Sequence, residues 1–273
     1  INVKAPPGCF LNPRRPAPCG GRNVVSHRIY ETALGALSKA VPQRVIAANS
    51  HFFNPMVGGI DPRNGRPFIL WEVIVGGIGA RYTKDGIEAT ASPYNTTNVP
   101  VELQELHNPV IVERVELVQD SAGPGKFRGG SAMRKDLRLL ADNANFYNVG
   151  DRAKFQPFGL FGGKAGALGR TVLNPGAKDE RELSSKGTYR LRAGDVISWR
   201  TAGAGGSSDP LQRDPQAVLD DVLDGFVSVA AAAANYGVVV TGSPPGVDPG
   251  ETQRLRQEMR RRADPAVALA AAT

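Results

Sequence analysis

Cysteine, tryptophan, histidine and methionine are all scarce in this chain: two, two, three and three copies in 273 residues. Cys9 and Cys19 cannot build a disulfide framework, and no pair of histidines stands at the spacing that would complete a zinc site. Two thiols in such a chain are expected to stay reduced. No apolar run approaches the roughly 20 residues needed to cross a bilayer. The opening INVKAPPGCF lacks the charged-then-apolar pattern of a secretion signal. These absences predict a cytoplasmic protein with no membrane partner. The N-terminus also lacks an initiator methionine and starts as though in mid-domain, so a longer parent chain is expected.

Nucleotide and nucleic-acid signatures are missing too. Gly76-Gly77-Ile78-Gly79-Ala80-Arg81 has the glycines of a phosphate loop but neither the Lys-Ser/Thr pair nor a following helix. Phe158 to Gly169 is glycine-rich, yet a strand and turn follow it where a dinucleotide fold needs a helix. The net charge of +7 invites a nucleic-acid reading. The basic residues are scattered, however, and the densest group, Arg254 to Arg262, is interleaved with Glu251, Glu258 and Asp264. A solvated helix face explains it, and no nucleic-acid partner is expected.

What the chain has in quantity is glycine and proline, 32 and 21 residues, which points to turns and loops rather than a helical bundle. Prolines keep residues 1–21 irregular. A helix is predicted from Val25 or Ser26 to Ala40, with Ile29, Ala33, Leu34 and Leu37 as its buried stripe. Phe68 to Val75 reads as one buried strand. Asn95 to Asn108 is polar and amide-rich, with Glu102 and Glu105 on a solvated edge. Strands are predicted at Val110–Val118, Ala132–Leu140, Asn143–Val149 and from Thr171, then at Glu182–Ser185, Tyr189–Arg192 and Val196–Arg200. Asp214-Pro215 starts a helix to Asp224, Ser228 caps a second that Gly237 stops, and Val238–Val240 reads as a strand. Glu251 to Arg262 forms a terminal helix. The class is α+β, a largely antiparallel β region flanked by a helix near the N-terminus and helices near the C-terminus. Residues 1–250 form the main unit, and 251–273 a terminal helix and tail.

Two loops stand out. Asp120 to Gly130 joins an acid, a hydroxyl, two cations and four glycines after a strand, and Gly203 to Asp209 feeds helix starts. Both suit close backbone approach to a ligand or another chain. His27 opens the first helix beside Arg28, and His51 either lines a pocket or caps a turn.

The stretches GCFLNPRRPAPCGGRNVVSHRIYE, PVELQE, DSAGPGKFRGGSAMRKD, FGLFGGKAGALGRTVLNPG and LRAGDVISWRTAGAGGSSDP, running on to Val240, resemble the hydantoinase B/5-oxoprolinase family in the expected order. The resemblance implies part of an ATP-dependent cyclic-amide hydrolase opening hydantoin or 5-oxoproline rings. It implies a hetero-oligomer with a hydantoinase A-type subunit, which holds the ATP and Mg, and a small-molecule substrate. The alternatives are a component of an acetone- or acetophenone-type carboxylase and a non-catalytic assembly module. Family members are about twice this length, and the missing part is N-terminal. In metal-dependent relatives the His and Asp ligands lie in that missing half, so no metal ligand is assigned here and the fragment alone is expected to be inactive. Ser207 and Ser208 stand where the family loop usually continues with glycine. Candidate catalytic residues are His27 for proton transfer and Asp120 and Asp209 for orientation. Arg28, Arg128, Gly205 and Gly206 are candidates for binding substrate, the arginines facing developing oxyanion charge. The structural alternative for each is a cap, a turn acid or a buried ion pair.

Overall fold

The computed structural model describes residues 4–17, 21–90, 92–94 and 98–263; Cys19 and the alanine-rich tail lie outside them. The chain opens with α1 (Arg22–Leu37), followed by β1 (Phe52–Phe53), β2 (Met56–Ile60), β3 (Pro67–Trp71), β4 (Ile74–Val75) and α2 (Val101–His107). Next come β5 (Val110–Val118), β6 (Ala132–Leu139), β7 (Ala144–Val149), β8 (Arg170–Leu173), β9 (Arg181–Leu183), β10 (Lys186–Leu191) and β11 (Val196–Arg200). The C-terminal part holds α3 (Pro215–Leu223), α4 (Val229–Tyr236), β12 (Val240–Thr241), β13 (Gly246–Val247) and α5 (Pro249–Ala263).

Two antiparallel sheets carry the β region, in the orders β5-β6-β11-β8-β9 and β10-β7-β2-β3. Their strands alternate, as in Ala144, Phe146 and Asn148 of β7, buried between exposed Asn145 and Tyr147. One apolar core draws on both sheets: Leu137, Ile197 and Trp199 from one, Phe146 and Leu191 from the other. Phe146 meets Trp199 edge to face at 5.8 Å, which ties the sheets together. Burying side chains of this size stabilises by about 1.5–3 kcal/mol each. Trp199→Ala would cost about 3–5 kcal/mol.

The C-terminal helices follow their local signals. Asp214 accepts from Gln216 N at 3.0 Å, Ser228 from Ala231 N at 3.0 Å, and Gly237 ends α4 in the left-handed region at φ 61°. Val218, Leu219, Ala232, Tyr236 and Val238 form a second core cluster. The strand expected at Val238–Val240 shrinks to Val240–Thr241. Helix α5 is fastened by Arg256, which donates to Tyr236 O at 3.0 Å and Arg213 O at 2.7 Å.

Three expectations are corrected. The single strand at Phe68–Val75 is split, because Glu72 turns inward to bind Gln104 Nε2 at 2.6 Å and the Lys135 ammonium. Its first half is an edge strand with Ile69 75% and Trp71 60% exposed, so it is half-buried at most. The polar stretch before Asn108 contains α2, which starts right after Pro100 with Glu102 in its first turn, where an acid favours the helix dipole. Helix α1 turns the opposite face inward. Val24, His27 and Glu31 are buried at i, i+3 and i+7, while Ile29 and Leu37 are 47% and 45% exposed. The wall it packs on is polar: Asn49 N donates to Glu31 at 2.8 Å and Arg152 pairs with the same carboxylate.

Candidate functional site

The glycine loops meet one another. A Cβ on Gly205 would lie 2.0 Å from Phe158 O, and one on Gly206 2.3 Å from Pro124 O. Their backbone groups are also spent inside the protein: Gly205 N donates to Ala48 O at 2.8 Å, and Gly206 N to Lys164 O at 3.0 Å. Gly79 is closed in the same way, 1.9 Å from Ala47 O. None of these loops leaves an open cradle for nucleotide phosphates. Among the described residues no cluster of three or more His, Cys, Asp or Glu is placed to hold a metal ion.

Asp120 sits at φ 60° and accepts from Ser228 N at 2.7 Å, which anchors the start of α4. Asp209 accepts from Leu211 N at 2.9 Å and caps a short 3-10 turn. Arg128 is buried in an ion network, with Asp221 at 3.2 Å and Glu88 at 2.8 Å, its guanidinium 4.4 Å over the Phe226 ring. Arg213 shares Asp221 at 2.8 Å and adds Asp85 at 2.8 Å. The carboxylates hold both guanidiniums charged. Among the described residues, no hydrogen bond, ion pair or ring contact joins these groups to His27 or Arg28.

His27 and Arg28 belong to a different constellation. The His27 ring lies 3.9 Å from the His51 ring, 4.6 Å from Tyr94 and 4.8 Å from Phe52, centroid to centroid. His51 holds an unusual left-handed backbone, φ 80°. Its Nδ1 lies 2.6 Å from Phe52 N and 2.7 Å from Phe52 O. Nδ1 accepts in one tautomer and donates in the other. Both nitrogens of His27 and Nε2 of His51 are buried without a hydrogen-bond partner among the described residues. Burial, then the other imidazole and Arg28, push His27 down to about 3. Burial and Arg28 do the same to His51, also to about 3. Both rings are therefore neutral near pH 7.

The cationic half adjoins them. Arg28 pairs with Glu31 at 2.5 Å and Asp151 at 3.1 Å, and Glu31 also takes Arg152. Arg152 holds φ 58°, a conformation that costs a non-glycine residue about 1–3 kcal/mol. Burial depresses its pKa to about 10 although Glu31 opposes this. Arg28, Asp151, Arg152, Lys154, Phe155 and Lys186 line an open cleft of about 480 Å³, with Ser184 and Ser185 beside them. Four cations face one acid in that lining, so the cleft favours an anion. Neither imidazole is part of the lining; His27 adjoins the cleft through its chain neighbour Arg28, and a neutral imidazole has one nitrogen that donates and one that accepts. Glu31, Asp151 and Arg152 were not singled out by the sequence. The i, i+3 placement of Arg28 and Glu31 and the i, i+4 placement of His27 and Glu31 on one helix were the local signals that could have joined these groups.

The molecule is thus an antiparallel α+β protein with a buried imidazole pair behind a cationic cleft. The chain belongs to the hydantoinase B/oxoprolinase family, whose family model matches residues 1–210. It is 34% identical over 260 residues to a protein of Pseudomonas sp. (strain NS671) provisionally named as the B component of a D-/L-hydantoinase, covering 94% of this chain and 43% of that one. Its fold resembles the ATP-dependent caprolactamase of Pseudomonas jessenii (TM-score 0.71, 28% identity, 81% of this chain and 40% of that one). It also resembles a nucleotide-free acetone carboxylase (TM-score 0.72, 23% identity, 83% and 35%). The chain thus spans under half the length of each of these proteins.

Proposed function

We propose that this chain is part of an ATP-dependent cyclic-amide hydrolase of the hydantoinase or oxoprolinase type, acting in the cytoplasm within a hetero-oligomer. A hydantoinase A-type partner would hold ATP and Mg; any divalent metal would lie in polypeptide outside this chain. The observation that carries the reading is the His27–His51 pair, three of whose buried ring nitrogens have no hydrogen-bond partner among the described residues, beside Arg28 and Arg152. Family membership and the caprolactamase likeness support it.

Ring opening breaks the amide C–N bond, adds a water oxygen to the carbonyl carbon and places a proton on the leaving nitrogen. ATP supplies the activation that an unstrained amide lacks. On this chain, Arg28 and Arg152 balance the charge developing on the carbonyl oxygen. His27 carries the proton to the nitrogen. An anion arriving in the cleft offsets the nearby guanidiniums and raises the proton affinity of the ring, which is otherwise too weak a base. Asp120, Asp209 and Arg128, with Gly205 and Gly206, frame the fold that holds this pair.

Phosphate release from ATP by the complete enzyme with its A-type partner tests the reading, using hydantoin, 5-oxoproline or caprolactam, and ketones with and without bicarbonate. Turnover of a cyclic amide without bicarbonate is expected, and His27→Gln should lower it about 10²–10⁴-fold with assembly intact. Turnover only with ketone and bicarbonate would overturn it in favour of the carboxylase that the second structural likeness suggests. No turnover in any arm would leave an assembly module.

A further inference from the structure

The outer face of the five-stranded sheet carries a row of charge that the proposed reaction does not use. Glu116 of β5, Arg134 of β6, Arg200 of β11 and Arg170 of β8 stand opposite one another in register across four adjacent strands. Neighbouring strands are about 4.8 Å apart, so the three arginine stems are immediate neighbours. Like charges directly opposite destabilise a sheet.

Only one end of the row is compensated. Arg134 grips Asp136 with two bonds, 2.9 and 2.7 Å, and approaches Glu116 at 3.6 Å. Arg200 and Arg170 have no ion pair among the described residues. Arg200 Nε is buried without a hydrogen-bond partner among the described residues. Two residues earlier on the same strand face, Ser198 Oγ is buried and unpartnered as well. Burial, then Arg170 and Arg134, hold the Arg200 pKa down, opposed only by Asp136 and Glu116. Two guanidiniums that stand opposite each other on neighbouring strands, without a carboxylate partner among the described residues, can share one anion between them. A tetrahedral oxyanion offers acceptors to both, whereas a carboxylate is satisfied by a single fork.

We propose that Arg170 and Arg200, flanked by Arg134, form an oxyanion site on the outer sheet face that takes a phosphate group, either free phosphate or the phosphoryl end of a nucleotide. The site is independent of the ring-opening chemistry. Its function is to bind an anion that neutralises the row.

Titration calorimetry on the full chain tests this, with sodium phosphate and separately with ADP, ionic strength being held constant with sodium chloride. One phosphate site is expected, weakened at least tenfold by Arg170→Met and by Arg200→Met. Arg138→Met, whose guanidinium is exposed and paired with Glu113, should bind as the parent does. Binding of free phosphate identifies it as a sufficient ligand, and binding of ADP alone assigns a nucleotide phosphoryl group. Melting gives a second readout. Without phosphate, Arg200→Met should melt above the parent, because repulsion is relieved, and phosphate should raise the melting temperature of the parent and of Arg138→Met but not that of Arg200→Met. If Arg200→Met does not fold, Arg170→Met at its exposed position carries the test. Neither anion binding more than chloride, or Arg138→Met weakening binding as much as the other two, overturns the proposal.

Discussion

Lowering the pH from 7 to 5 should destabilise the protein through His27 and His51. Both are held near 3 in the fold, whereas an unfolded histidine titrates near 6.5. The unfolded chain therefore takes up protons first as the pH falls. The stability each neutral ring contributes is complete well above pH 6.5 and is lost progressively between there and pH 3. One pKa unit is about 1.36 kcal/mol, so at pH 5 each ring has lost about 2 kcal/mol and the pair about 4 kcal/mol. Water reaching the rings would reduce this, which makes a loss of about 2–4 kcal/mol the expected range. Glu31, whose carboxyl burial pushes upward, works in the opposite direction. The difference between the parent and histidine variants therefore isolates the imidazoles. Urea denaturation of the full chain at pH 7, 6 and 5 gives the slope. His27→Phe should halve it, and adding His51→Asn, which tolerates the left-handed backbone, should nearly abolish it. An unchanged slope in the double variant would refute the reasoning.

Gly205→Ala should cost more than about 3 kcal/mol and sharply lower soluble yield. Its methyl would lie 2.0 Å from a backbone oxygen that cannot swing away. Gly246→Ala, with nothing within 4 Å, should shift the urea midpoint by less than about 0.5 kcal/mol; equal effects would sink the close-packing account. Asp221→Ala leaves Arg128 and Arg213 facing each other, each with one remaining acid, and should destabilise by about 3 kcal/mol in thermal or urea melts. An unchanged midpoint would mean that the network contributes nothing net.

Local signals were the legible ones. Asp214-Pro215, Ser228 and Gly237 each act within one helical turn, and each does what its residue type predicts. Strands β5, β6, β7 and β11 could be read because β-branched and aromatic residues cluster between turn residues. The inward face of α1 could not, since it is decided by Asn49 and Arg152, which are far away in sequence. The split after Trp71 was hidden for the same reason: Glu72 turns to Lys135 and Gln104 on other elements. The glycines of the loops signalled close approach correctly but not its object, which is a carbonyl of the same chain. His27 and Arg28 could be named, and Glu31 lies within one turn of Arg28 on the same helix, but Asp151 and Arg152 join them only through the tertiary fold.

The glycine crossings also reverse a familiar expectation about where a protein accepts change. Loops ordinarily tolerate substitution and insertion better than the elements they join. Here a side chain at Gly129, Gly163, Gly203 or Gly205 would strike backbone within about 2.3 Å or less. In a saturation library these irregular segments should be the most depleted of variants, while exposed strand positions such as Ile69 vary freely. The same segments should rank among the slowest to exchange their amide protons, since Gly123, Gly130, Gly205 and Gly206 all donate to carbonyls of neighbouring loops. The least regular stretches of the chain are thus its least negotiable ones.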